Sequence, residues 1–301
     1  MTHAYRSRLW LSTLLCLAAS AVVFASHDSS QAAFGRRRLL ISTLERDIKR
    51  YGSKTIVPRL APPDPSTLIG MLWRENQDLV DQFLNVEFIK LQAEGGHNAT
   101  LASYQYYSVQ DYYYLVDYSK YEVVRMNTYP EFNPTQLLSL MDSEMNSILV
   151  DDVEYSWEFR NETLIKDLGI APHYIDDRSR SVEELAYANW LQKNADLGWF
   201  TMHVASIPCI YGWVQLASKW NVSIATNKNS TFYETWIAPN ADPSYGVSLS
   251  DFLEANRAEY YSAEANRTWN AVFRQALLFE IAFFNSAIGK TLDDLPASLG
   301  Y

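Results

Sequence analysis

The chain has 301 residues, 48% of them apolar and 20% charged, and a net charge of −10. That is enough apolar material for a folded core; the acidic balance counts against a nucleic-acid binder, whose phosphate contacts need clustered Lys and Arg. Only 11 Gly and 11 Pro are present, which argues against a turn-dense β-sandwich or a low-complexity chain, and 20 Tyr point to a core or pocket lined by rings with polar tips.

The N-terminus reads as an export signal. Arg6 and Arg8 precede an apolar run over residues 9–25 that ends in Val23-Phe24-Ala25, a small-residue cleavage pattern. Residues 1–25 are therefore expected to be a signal peptide and the protein to be secreted, with an uncleaved anchor as the competing reading. Five sequons agree with export, at Asn98, Asn161, Asn221, Asn229 and Asn266. No second run is long enough to cross a bilayer. Cys16 falls within the signal, which leaves Cys209 as the one mature cysteine and no internal disulfide. Arg36-Arg37-Arg38 and Lys49-Arg50 are either processing sites that make residues 26–50 a propeptide or part of a helix carrying Leu39, Leu40, Leu44 and Ile48.

Pro58, Pro62, Pro63 and Pro65 make residues 57–65 an extended linker. The expected organisation is thus a signal over 1–25, an N-terminal segment over 26–65 and one helical domain over 66–295. A first helix spans 67–94 and stops at Gly95-Gly96. A Tyr-rich helix without Gly or Pro covers 101–126, and another covers 134–149 behind Asn133-Pro134. Ser181-Val182-Glu183-Glu184 is a capping-box pattern opening a helix to Leu197. After Gly198 a helix runs over 199–219, kinked at Pro208. Two more fit 249–262 and 265–288, the second closing at Gly289. No alternating β-pattern appears, so the fold class is an all-α bundle in one domain.

Four residues strain that pattern. Asp111 shares a helical stripe with Tyr107, Tyr114 and Tyr118; it is either solvated or, as the ring density favours, buried. Glu280 is the one charge within Ala276-Leu277-Leu278-Phe279-Glu280-Ile281-Ala282-Phe283-Phe284. A buried carboxylate needs hydrogen bonds or a raised pKa, so Glu280 is either a general acid–base or a tie between helices. Cys209 follows Pro208 where a helix bends around a cavity, yet it also reads as a small buried hydrophobe. Tyr187 shares a face with Ala186, Trp190, Leu191 and Asn194 and on its own reads as core.

Metal and cofactor signals are weak. Glu94-Gly95-Gly96-His97 has an E-x-x-H spacing, but its glycines and the sequon at Asn98 put it on a loop, and no second E-x-x-H exists. There is no nucleophile elbow, no phosphate loop and no placed axial His. No cofactor and no metal are expected.

Gln110-Asp111-x-x-Tyr114-Leu115, Pro208-Cys209, Trp236-Ile237 and Glu280-x-x-Phe283, in that order, resemble the TenA/thiaminase II family over about residues 70–290. The resemblance implies the haem-oxygenase-like all-α fold without haem. It also implies a hydrolase that cleaves thiamine or its aminopyrimidine breakdown products and releases hydroxymethylpyrimidine. On that pattern Cys209 is the nucleophile, Asp111 holds the ring nitrogen and amino group, and Glu280 transfers protons. Tyr114, Tyr187 and Phe283 line the ring slot. The implied partner is a small heteroaromatic molecule, and the resemblance admits a homo-oligomer. Two substrate-site positions depart from it: Trp213 and Asn240 stand where the hydrolases usually carry Tyr. The other reading is a non-catalytic protein that binds a small aromatic ligand on the same fold.

Overall fold

The computed structural model describes residues 62–95, 100–129 and 133–290, all within the unit Val57–Tyr301. The expected signal peptide, residues 26–61, His97 and the sequon at Asn98 lie outside the described residues. Among the described residues every regular element is helical.

The expected single helix over 67–94 is three: α1 (Leu68–Glu75), α2 (Gln77–Phe83) and α3 (Glu87–Glu94). Asn76 makes the first break, because its amide donates to the Leu72 carbonyl at 2.9 Å and to Asn270 at 2.6 Å. A short polar side chain that bonds backbone in this way competes with the helix. At Val86 the backbone turns extended. Gly95 ends α3 with φ 66°, the conformation that favours glycine. Gly70 is required by close approach instead, since a Cβ there would lie 1.9 Å from the Asp64 carbonyl oxygen.

Helix α4 (Leu101–Met126) keeps the expected bounds, capped by Thr100 Oγ1 accepting from the Ser103 N–H at 3.1 Å. Its buried residues recur at helical spacing through Tyr104, Tyr107, Asp111, Tyr114, Tyr118, Tyr121 and Arg125. Helix α5 (Pro134–Ser147) starts at the Asn133 cap. It continues through wider π turns over Ile148–Glu154 and Phe159–Asp167, segments that polar–apolar spacing at 3.6 residues does not reveal. The Ser181 hydroxyl caps α6 (Val182–Lys193), accepting from the Glu184 N–H at 3.0 Å. The expected capping box is only half made. The Ser181 N–H donates to Gln110 at 2.7 Å, and the Glu184 carboxylate is taken by Arg180.

The helix expected over 199–219 is divided. Helix α7 (Trp199–Ala205) ends at Ser206, a π turn covers Pro208–Gly212, and α8 (Trp213–Val222) follows. A proline lacks the N–H that an α-helix interior needs, so the chain widens there. A further π turn, Tyr233–Ile237, precedes α9 (Ser244–Tyr260). The last helix, α10 (Ala263–Ser286), is capped by Ser262 and followed by Gly289 at φ 76°. It is buried on every side from Ala276 to Phe284 and packs against α2, α3, α6, α7 and the Pro208–Gly212 turn. A helix apolar all round belongs in the centre of a fold. Burying Phe283 and Phe284, at 1% and 0% exposure, contributes about 1.5–3 kcal/mol each. That central position is what brings Glu280 into the interior.

Candidate functional site

Glu280, on the fifth turn of α10, is wholly buried. Its Oε2 accepts from the Trp213 indole N–H at 2.9 Å, while Oε1 has no protein partner. Burial pushes the carboxyl up to about 7, held from rising further by the Trp213 indole and the nearby Tyr187 hydroxyl. Asp111, on α4, is buried with Oδ1 also unpartnered. Its carboxyl is raised well above the usual range by desolvation and then by the negative charge of Glu280. Two acids in one apolar place do not ionise together easily.

Cys209 sits on the Pro208–Gly212 turn, half-buried, its thiol donating weakly to the Ser206 carbonyl at 3.3 Å. Burial and the Glu280 charge raise the thiol well above its ordinary value, while the Tyr114 hydroxyl acts in the opposite sense. At rest it is a neutral thiol, which needs a proton acceptor before it can attack.

Aromatic side chains enclose these groups. The rings of Tyr114 and Tyr187 lie 4.8 Å apart, Tyr187 stacks on Phe279 at 5.3 Å, and Phe283 meets Tyr107 at 5.4 Å and Tyr114 at 6.0 Å. Trp213 lies 5.8 Å from both Trp236 and Phe284. The hydroxyls of Tyr107, Tyr114 and Tyr187 have no hydrogen-bond partner, although each is buried. Buried polar atoms left unpaired cost stability. Here they converge, with Asp111 Oδ1 and Glu280 Oε1, from α4, α6 and α10. A flat ring bearing both donors and acceptors would satisfy them together.

The structure thus gathers Asp111, Tyr114, Tyr187, Cys209, Trp213, Glu280 and Phe283. Asn240 stands apart from them in its bonding: its amide donates to the Trp236 carbonyl at 2.8 Å, four residues back on its own segment. Tyr107 belongs with the group although sequence reasoning placed it only on the stripe; its position four residues before Asp111 was the signal. Trp213 does more than line a slot, since its indole bonds the carboxylate directly. Among the sequons, Asn161 and Asn229 are exposed and Asn266 is half-buried. Asn221 is buried, and its amide oxygen accepts from the Tyr233 hydroxyl at 2.9 Å.

A second buried cluster lies farther along α4. Arg125 pairs with Glu122 and Glu144 at 2.9 Å each. His203 Nε2 is 3.8 Å from Glu144, but burial and the Arg125 charge hold the imidazole neutral. Asp152 is raised to about 9 by burial and the neighbouring Glu122. No group of three or more His, Cys, Asp or Glu among the described residues could hold a metal ion. None of the described helices is long and apolar enough to cross a membrane.

Known proteins share this architecture. A TenA homologue from Pyrococcus furiosus superposes with a TM-score of 0.60 at 19% identity, over 73% of this chain and 99% of the other. A TenA homologue from P. horikoshii gives 0.60 at 17% identity, over 73% and 98%. These likenesses establish the fold, the haem-oxygenase-like helical bundle expected above. In sequence, the chain is 24% identical over 212 residues to the hydroxymethylpyrimidine/phosphomethylpyrimidine kinase THI20 of Saccharomyces cerevisiae, covering 69% of this chain and 36% of that protein. It is 26% identical over 156 residues to the thiamine biosynthesis protein THI22 of the same yeast, covering 51% and 26%. The chain therefore spans about a third or less of the length of these relatives. The model of the TENA/THI-4/PQQC family matches residues 74–290, and the chain belongs to that family.

Proposed function

We propose that the chain is a hydrolase that cleaves the C–N bond beside the ring of a thiamine-type aminopyrimidine. The observation that carries the reading is the convergence of unpartnered Asp111 Oδ1, Glu280 Oε1 and three tyrosine hydroxyls on one ring-lined place beside Cys209. Family membership and the thiamine-linked names of the yeast relatives support it.

In this mechanism Asp111 pairs with the ring nitrogen and exocyclic amine, and Tyr114, Tyr187 and Phe283 hold the ring plane. The Cys209 sulfur adds to a ring carbon as its proton passes to the Glu280 carboxylate, the charged group acting on the thiol. The electron pair displaced into the ring expels the amine from the methylene carbon, and Glu280 protonates that leaving group. Water adds to the methylene, Glu280 takes up a proton, and the C–S bond breaks to release hydroxymethylpyrimidine and the thiol. The raised thiol of Cys209 favours a second reading, in which the same groups bind the ring without cleaving it.

Incubation with thiamine and with aminomethylpyrimidine, followed by mass spectrometry for hydroxymethylpyrimidine, separates the two. Product that vanishes in Cys209→Ser supports the hydrolase; saturable binding without product supports the binding protein. The signal-like run over residues 9–25 and the exposed Asn161 and Asn229 support action in the secretory route. A glycosidase-sensitive mass on protein recovered from medium would test that.

A further inference from the structure

We propose that Trp213 is a positioning residue for Glu280: its indole N–H holds Oε2 as an acceptor, so that the exchangeable proton resides on Oε1. This inference rests on the hydrolase reading for its consequence in catalysis, and on geometry for its substance. Indole nitrogen donates and never accepts. Whichever protonation state Glu280 adopts, the oxygen 2.9 Å from Trp213 Nε1 must present a lone pair. In the acid form the carbonyl oxygen is the stronger acceptor, so the indole favours the hydroxyl on Oε1, the atom with no protein partner of hydrogen-bond geometry. A tyrosine, which can donate or accept, would not impose that choice.

The indole is itself fixed. It opens α8 directly after the turn carrying Cys209, and its ring lies between Trp236 of the Tyr233–Ile237 turn and Phe284 of α10, 5.8 Å from each. The other titratable groups facing Glu280 are Asp111, Tyr107 and Tyr114 from α4, Tyr187 from α6 and Cys209. Of these neighbours the Tyr187 hydroxyl also favours the ionised carboxyl, while the 2.9 Å bond to Oε2 is that of Trp213.

The test uses the full chain labelled with 15N at the indole nitrogens and titrated from pH 5 to pH 9. One indole N–H resonance should shift with a midpoint near 7. It should stop titrating in Glu280→Gln and be absent from Trp213→Phe, which keeps a ring between Trp236 and Phe284. In turnover assays Trp213→Phe should move the Glu280-linked limb of the pH profile up by about one unit. It should also lower kcat about tenfold with KM little changed. An indole spectrum that does not titrate, or an unmoved pH profile in Trp213→Phe, overturns the proposal. A titrating resonance in a wild-type protein without turnover leaves the positioning role standing and removes the hydrolase reading.

Discussion

Helix α4 serves two buried polar regions that solve the same problem in opposite ways. Around Arg125 the guanidinium is paired with Glu122 and Glu144 at 2.9 Å, although Asp152 beside them is raised to about 9. About four turns earlier, around Asp111, acids and hydroxyls face one another inside rings, with no cation of the described residues among them and several atoms unsatisfied. Pairing offsets the desolvation of buried charge and fixes packing. Leaving groups unpaired raises their pKa and keeps them available to something that is not part of the chain. The first region holds the fold together; the second carries a cost that a ligand can remove.

The contrast predicts opposite signs for charge removal. Arg125→Met should destabilise by about 3–5 kcal/mol in urea unfolding, because Glu122 and Glu144 are left buried without a counter-charge. Glu280→Gln should do the reverse above neutrality. The Glu280 carboxyl is raised from 4.5 to about 7 in the fold, so the folded state holds its proton more tightly than the unfolded chain. That contribution to stability is full below pH 4.5 and is lost as pH rises through 7. The glutamine variant should therefore match the wild type near pH 4.5 and exceed it by about 3 kcal/mol at pH 8. A variant that is less stable at pH 8 would place a favourable partner at Glu280 and break the comparison.

Hydroxyls sharpen it on a smaller scale. Tyr121 donates to the Met202 carbonyl, and Tyr121→Phe should cost about 1–3 kcal/mol by leaving that carbonyl unpaired. The Tyr187 hydroxyl bonds no backbone group and faces only Tyr114 and Glu280. Tyr187→Phe should therefore cost less than Tyr121→Phe, below about 1 kcal/mol, while weakening the binding of an aminopyrimidine. Thermal unfolding of the two variants side by side checks both values.

Much of this arrangement was legible in the chain itself. The bounds of α4 followed from an uninterrupted Tyr-rich run between Thr100 and Asn127. The burial of Glu280 followed from its apolar neighbours on every helical face, and that of Asp111 from the rings around it. Other features depend on tertiary partners that local pattern does not carry. Asn76 breaks a helix because Asn270, 194 residues away, accepts its amide. The Arg125 cluster draws on α4, α5 and the Ile148–Glu154 turn, each of which reads as an ordinary charged helix face. The wider π turns place Cys209 and Trp236 out of register with a 3.6-residue period. Asn240 was read as a substrate contact from its position, and the bond of its amide to the Trp236 carbonyl was not legible there. For Trp213 the position was noticed, but the direction of its hydrogen bond emerged only once α8 and α10 were packed.

The central claim is that the unsatisfied atoms of the second region are completed by an aminopyrimidine. The most direct measurement is the unfolding temperature of the wild type and of Asp111→Asn, each with and without saturating hydroxymethylpyrimidine at pH 7. A clear rise in the wild type that is largely lost in Asp111→Asn is the predicted result. No rise in the wild type, or an equal rise in both, would contradict it.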